Sequence, residues 1–135
     1  MKPLTNSSDD SAASMPDLNL VSKVLREIGI PVHNRGYRLL RDAILLALEK
    51  PETLFAVSRL LYPPVAERYG SSSKSVERAI GRAIEIAWER GEKDVLQKYF
   101  NIFALPAGYK PTTKEFIAHI VDMIRLQKSK NLSWA

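Results

Sequence analysis

A run of small residues, GSSS at positions 70–73, separates a short amphipathic segment from a long one and constrains the fold more than any other feature. Residues 64–69 before this run predict a short helix, and residues 73–90 after it predict a longer one. Two helices joined by a three- or four-residue turn that contains glycine outline a helix-turn-helix. Gly70 can adopt the positive φ of a sharp turn, and the serines can cap the next helix by accepting hydrogen bonds from its free N–H groups. Ala66 is small enough for the two helices to cross closely.

The long predicted helix has an apolar face and a cationic face. Its apolar residues recur at three- and four-residue spacing: Val76, Ile80, Ala83, Ile84, Ala87 and Trp88. Lys74, Arg78 and Arg82 are spaced four residues apart and share another face, with Ser75 and Glu77 beside them. A helix in the major groove needs cations and short polar groups at its N-terminal end and a buried face behind them. Periodicity alone leaves open the alternative of an ordinary amphipathic helix whose solvated face begins with cations.

The rest of the chain predicts more helices and no strands. Apolar periodicity indicates helices at 18–28, 37–50, 51–61, 92–100 and 113–127. The segment 37–50 is apolar over more than half of its circumference, so we expect it at the centre of the core. The predicted class is all-α, a compact bundle of about six or seven helices that contains the helix-turn-helix. The predicted divisions are a flexible tail at 1–16, an effector domain at 17–127 and a frayed tail at 128–135.

Several local signals set the expected ends and faces of these helices. Asp17 can cap the first helix, and Thr112 with Glu115 forms the T-x-x-E pattern of a capping box at the start of the last one. The segment 51–61 begins with proline, which suits the first turn of a helix. Its apolar residues are expected to face inward: Leu54, Phe55, Val57, Leu60 and Leu61.

Three cations near the start of the second helix admit two explanations. Arg35, Arg38 and Arg41 lie where cations oppose the helix dipole. A contact with a phosphate group would justify that placement. Solvent exposure or pairing with Asp42 would justify it equally well, and the sequence favours this simpler explanation.

Size and composition bound the class of protein. With 135 residues the chain predicts one domain, and it contains no cysteine, which excludes a thiolate nucleophile, a cysteine zinc site and a disulfide framework. A net charge of +5 is compatible with a polyanionic partner without demanding one. No apolar run approaches the length of a membrane span, and the N-terminus lacks the apolar core of a signal peptide. We therefore expect a cytoplasmic protein without membrane association.

The side chains that usually carry catalysis or bind metals are scarce. His33 and His119 are far apart in sequence and lack carboxylates at metal-ligand spacing, so structural roles are expected for both. The chain has no P-loop, G-x-S-x-G or H-E-x-x-H motif. We therefore predict no enzyme activity, no metal site and no cofactor.

Four stretches in the same order carry a family resemblance. They are REIGIPVHNRGYRLLRDAI at 26–44, LYPPVAERYG at 61–70, the segments SVERAI and AIEIAWERG within 75–91, and PTTKEFIAHIVDMIRL at 111–126. In these stretches the chain resembles the C-terminal DNA-binding effector domain of the response regulator that initiates sporulation in endospore-forming bacteria. The resemblance implies a compact six-helix domain whose long helix enters the major groove of promoter DNA. It also implies short DNA boxes, often in tandem and occupied by two protein molecules, and activation or repression of transcription.

The resemblance assigns roles to single residues of the long helix. Glu77 could accept a hydrogen bond from a cytosine amino group, Arg78 could bond bidentately to guanine, and Arg82 would contact the DNA backbone or a base. Together with the residues around the turn, the predicted DNA-binding set is Ser72, Ser73, Lys74, Ser75, Glu77, Arg78 and Arg82. Ser75 and Gly81 stand where the family usually has arginines, so weaker affinity or a different box is expected.

A second departure from the family pattern concerns how the activity of the protein is regulated. Full-length members of the family carry a phospho-acceptor receiver domain before this module, and here a sixteen-residue tail precedes it. If the chain is complete, no attached aspartyl-phosphate switch controls it; if it is an excised fragment, this point disappears.

Two functions from different classes remain. The first is a sequence-specific regulator of transcription that binds double-stranded promoter DNA. On tandem sites it could bind as a homodimer. The second is a modulator that binds a full-length regulator or RNA polymerase rather than DNA, with residues 92–109 and the last helix as candidate contacts.

Overall fold

The computed structural model describes residues 15–100 and 110–134, and the side chains of 17–100 and 110–129. Within these ranges the helices are α1 (Met15–Ile28), α2 (Arg35–Glu49), α3 (Tyr62–Arg68), α4 (Ser73–Arg90), α5 (Lys93–Phe100) and α6 (Thr113–Trp134). A 3-10 turn at Pro51–Phe55 and a π-helical turn at Val57–Leu61 lead from α2 to α3. No strand occurs in this part of the chain, and the all-α prediction is confirmed.

Helix α2 lies at the centre of the core, as its composition predicts. It contacts α1, α4 and α6. Its fully buried apolar residues are Leu39, Leu40, Ala43, Ile44 and Ala47. The helix begins at Arg35, two residues before the predicted start, because the Asn34 side chain accepts a hydrogen bond from the Gly36 N–H at 2.7 Å. Such an N-cap satisfies one of the N–H groups that a helix start leaves free.

The prediction of a single helix at 51–61 is wrong. Backbone angles of φ −154° and ψ 76° at Ala56 interrupt the segment and divide it into two short turns. Because the helical periodicity is interrupted there, the three- and four-residue spacing no longer puts the apolar residues on one side. Leu61 is fully buried, whereas Phe55 is 84% exposed and Leu60 is 37% exposed, against the expectation that both face inward.

The two ends of the described chain differ from the predicted boundaries. Helix α1 starts at Met15, so Asp17 lies inside its first turn rather than at the cap, and residues 1–14 of the predicted tail lie outside the described residues. Helix α6 continues to Trp134, beyond the predicted end at 127. An ion pair of 3.0 Å between Lys128 Nζ and Asp17 Oδ1 joins the two elements.

The start of α6 has the predicted capping box. The Thr112 N–H donates to Glu115 Oε1 at 2.9 Å, and the Glu115 N–H donates to Thr112 Oγ1 at 3.1 Å. Each side chain therefore satisfies a backbone donor of the other residue, which fixes the first turn of α6.

An aromatic cluster joins α4, α5 and α6. The Phe100 ring packs against Trp88 and Phe116, with centroid distances of 5.1 and 5.2 Å. The His119 ring stacks on Phe100 at 4.8 Å, and its Nε2 contacts the carbonyl oxygen of Tyr99. These contacts give His119 a packing role in the structure, as the sequence predicts.

Candidate nucleic-acid interface

Helices α3 and α4 form the predicted helix-turn-helix. Gly70 has φ +60°, a conformation that costs glycine little, and this reverses the chain after α3. The Ser71 N–H closes the turn by donating to the Ala66 carbonyl oxygen at 2.8 Å. Ser72 is the N-cap of α4, where its side chain accepts a hydrogen bond from the Ser75 N–H at 3.1 Å. Ala66 is almost fully buried, as a small residue at a close helix crossing would be.

The apolar face of α4 anchors it to the bundle. Its buried residues are those that the spacing predicts: Val76, Ile80, Ala83, Ile84 and Ala87, with Trp88 half-buried. They pack with residues of α2, α3 and α6, the helices that α4 contacts. This packing fixes the orientation of α4, and therefore the direction in which its polar side chains point.

The predicted DNA-binding residues lie together at the N-terminal half of α4. Ser72, Lys74, Glu77, Arg78 and Arg82 are exposed, and Ser73 and Ser75 are half-buried. At 100° per residue, Lys74, Arg78 and Arg82 lie opposite the buried stripe. None of the ion pairs within the described residues involves these three cations. Lys74 and Arg78 are therefore open to an external anion, and the charge of Arg82 also helps to lower the pKa of Glu85.

Glu77 lies on the flank of this face that borders α3. The pKa of the Tyr62 phenol is raised to about 12, mainly because burial disfavours the phenolate and further because the negative charge of Glu77 is near. Tyr62, the first residue of α3, is buried, while Glu77 itself is exposed. Glu77 and Arg78 therefore point to different parts of the polar edge of α4.

Further along α4, a groove of about 440 Å³ lies between this helix and the start of α6. Gly81 opens it, since a Cβ there would lie 3.4 Å from Thr113 Oγ1. Lys110 Nζ lies 3.0 Å from Glu85 Oε2 across this groove, and its hydrogen bond and charge lower the pKa of Glu85. The groove thus carries Arg78 and Arg82 on one wall and a paired lysine on the other.

Asp42 of α2 ties α3 to the core. It is a buried carboxylate that accepts hydrogen bonds from the Tyr69 hydroxyl and from Arg41 Nε, the latter at 3.0 Å. Arg68 lies 3.6 Å away on the exposed side. Burial, and then the hydrogen bond and charge of Asp42, raise the pKa of Tyr69. Because Tyr69 is the C-cap of α3, this contact sets the position of the helix-turn-helix on α2.

Arg35 is brought to α4 by the glycine that follows it. A Cβ on Gly36 would lie 2.8 Å from Ala83 Cβ and closer still to the Ala79 carbonyl oxygen, so only glycine allows α2 to approach α4 this closely. The Arg35 guanidinium donates to Ser71 Oγ at 2.7 Å and to Ser75 Oγ at 3.4 Å. It therefore spans the turn and the first turn of α4.

Two of the three arginines at the start of α2 thus have different environments. Arg41 pairs with Asp42, as the simpler explanation expects, whereas Arg35 lies against the predicted DNA-binding face. The predicted DNA-binding set does not contain Arg35. The available signal was a cation placed against the helix dipole, which alone does not say what the cation contacts.

The described ranges contain neither a metal site nor a membrane-spanning helix. No group of three or more His, Asp or Glu side chains there is arranged to hold a metal ion. In the same ranges, no helix has the length and apolar character that crossing a bilayer requires.

A comparison with protein families agrees with the architecture. The family model described as "Sporulation initiation factor Spo0A C terminal" matches residues 21–124, more than half of the chain. The match runs from α1 into α6 and includes the whole helix-turn-helix. It confirms the resemblance to the effector domain of sporulation regulators.

Proposed function

The chain belongs to the family of sporulation initiation factor Spo0A C-terminal domains, which are DNA-binding domains of sporulation regulators, and from that premise we propose that it recognises a specific promoter sequence by placing α4 in the major groove. Binding there regulates transcription of the adjacent gene. The observation that carries the proposal is the exposed cationic edge of α4, held in place by the buried stripe on the opposite side of the helix.

The chemistry of the edge suits base recognition. Arg78, in the second turn of α4, presents a planar fork of donors that matches the N7 and O6 acceptors of guanine. Glu77 can only accept hydrogen bonds when ionised, and the cytosine amino group is the donor that the major groove offers it. Both side chains are exposed, so base contacts require no rearrangement of the core.

The other members of the set suit the DNA backbone. Ser72 and Ser73 lie where the first N–H groups of α4 and the positive end of its dipole favour a phosphate. Lys74 supplies a mobile charge, Ser75 a hydroxyl, and Arg82 a second guanidinium one turn beyond Arg78. Contacts of this kind hold the helix in register while Glu77 and Arg78 contact the bases.

A comparison of two arginines on the same helix tests the proposal. The DNA is a duplex selected from a random pool by the wild-type protein, and binding is measured by fluorescence anisotropy. Arg78→Ala should weaken binding by ~1–3 kcal/mol, about 5- to 150-fold, and relax selectivity at one guanine. Arg90→Ala removes an exposed arginine from the last turn of α4 and should change affinity little. Equal affinities of wild type and Arg78→Ala would refute the assignment of α4 as the recognition helix.

Binding by two molecules to tandem boxes is a further part of the proposal. Native mass spectrometry on duplexes with one or two copies of the selected box gives the stoichiometry. Two proteins on the double box and one on the single box would support it, and one protein on both would contradict it. A cytoplasmic location follows from the proposal, because that is where a bacterial promoter lies.

A second candidate function is a modulator that contacts a full-length regulator or RNA polymerase. The observation in its favour is a groove of about 460 Å³ between α1, α5 and α6, where Leu126 is 57% exposed beside Tyr99 and Met123. Gel retardation at low salt and a pull-down with each purified partner separate the two functions. Capture of a partner without DNA retardation would favour the modulator.

A further inference from the structure

Arg35 is a cation whose position its own helix does not favour. It is the first residue of α2, where the positive end of the helix dipole repels a guanidinium. The side chain is exposed, yet it is held against the turn by Ser71 and against α4 by Ser75. Both partners are neutral hydroxyls. Their hydrogen bonds orient the guanidinium without neutralising its charge.

Unlike two neighbouring arginines, Arg35 has no carboxylate partner within the described residues. Arg41 on the same helix and Arg68 on α3 both lie within ion-pair distance of the buried Asp42 carboxylate. No ion pair within the described residues involves Arg35. Its charge is directed to the start of α4, where Ser72 caps the helix and the first N–H groups have no intrahelical partner.

The surroundings form a composite anion site contributed by three elements. The guanidinium comes from α2, one serine hydroxyl from the turn, and another from the first turn of α4. A tetrahedral oxyanion can accept from a guanidinium and from hydroxyl donors at the same time, and guanidinium–phosphate pairs are frequently bidentate. The close approach at Gly36 fixes α2 on α4, so the donors are arranged before any ligand binds.

We propose that Arg35 contacts DNA from outside the helix-turn-helix and holds a backbone phosphate against Ser71 and Ser75. The contact positions α4 in the groove and carries no base preference. This inference rests on the proposed function, since it supplies a phosphate contact to the same interface. Arg35 also places a guanidinium next to Ser75, where α4 itself has only a short hydroxyl side chain.

The salt dependence of binding tests this role. Neutralising one phosphate contributes about 0.9 to the slope of log affinity against log salt. Arg35→Ala should lower that slope by about 0.9 and weaken binding about three- to tenfold at moderate salt. The loss should be equal on the selected duplex and on a scrambled duplex of the same composition. An unchanged slope would overturn the inference.

Three variants separate a phosphate contact from an internal brace. Ser71→Ala removes the 2.7 Å hydrogen bond but keeps the cation, so its slope should stay near that of wild type. If Ser71→Ala reproduced the slope and affinity of Arg35→Ala, Arg35 would be a brace and the inference would fail. Arg35→Lys should restore most of the slope. Lys23→Ala removes one charge in the groove between α1, α5 and α6 and should leave the slope unchanged.

The same titrations distinguish failure of this inference from failure of the proposed function. If Arg78→Ala loses selectivity while Arg35→Ala behaves as wild type, only the phosphate contact is wrong. If the wild-type protein retards neither duplex at low salt, both proposals fall. Melting temperatures of all variants, measured without DNA, identify any loss of affinity that comes from unfolding.

Discussion

Replacing Gly36 with alanine tests the close approach on which the interface is built. The added Cβ would lie 2.8 Å from Ala83 Cβ, whereas carbon atoms pack best at about 3.5–4.0 Å. The other neighbour, the Ala79 carbonyl oxygen, belongs to the backbone of α4 and cannot rotate away. The two helices must therefore separate by roughly 0.7–1.2 Å, the difference between these distances.

The expected magnitude follows from two opposing effects. Overpacking a well-filled contact costs ~1–3 kcal/mol. Replacing glycine by alanine recovers ~0.4–1 kcal/mol by reducing the freedom of the unfolded chain. The difference between these two effects spans about 0–2.6 kcal/mol. Because both contacts are shorter than 3.0 Å and one of them is to backbone, we expect the upper half of this range, so Gly36→Ala should lose about 1.3–2.6 kcal/mol of stability and lower the melting temperature by about 4–14 °C.

Gly81→Ala is the matched control, because it makes the same chemical change in α4. Its Cβ would lie 3.4 Å from Thr113 Oγ1, an ordinary contact. Removing a glycine from a helix interior should then raise stability by about 0.5–1 kcal/mol. Thermal and urea denaturation of both variants give the comparison. If Gly36→Ala were as stable as wild type, the inferred helix contact would be wrong.

Two further substitutions test local contacts. Tyr62→Phe removes a buried hydroxyl for which the described part of the chain provides no hydrogen-bond partner, so the variant should be at least as stable as wild type at neutral pH. The folded-state pKa of Tyr62, about 12, exceeds the ordinary value of 10.0, so the phenol of the unfolded chain ionises first and the protein loses stability as the pH rises from about 10 towards 12. Urea denaturation at neutral and alkaline pH gives the free energy of unfolding. This free energy should fall less at alkaline pH for Tyr62→Phe than for wild type, and an equal fall would contradict the raised pKa of Tyr62. Thr112→Ala should cost ~0.5–2 kcal/mol through loss of the α6 cap, whereas Thr112→Ser should keep it; equal melting temperatures would count against the capping box.

The sequence could predict the features that depend on nearby residues. The helix Ser73–Arg90 has the bounds that its serine cap and apolar periodicity predict, and Gly70 adopts the expected positive φ. The capping box at Thr112 also forms as its spacing indicates. In each case the deciding residues lie within a few positions of each other. The family model agrees with these local patterns over residues 21–124.

Long-range packing decided the rest. Arg35 lies 40 positions from Ser75 in the chain, and Tyr69 lies 27 positions from Asp42. No local sequence pattern can therefore predict either contact. The break at Ala56 exposes Phe55, although the residue type alone favours burial. Periodicity gives the face of a helix but not the neighbour that meets it. Where the charge of Arg35 lies depends on how closely α2 and α4 pack, which only the tertiary structure determines.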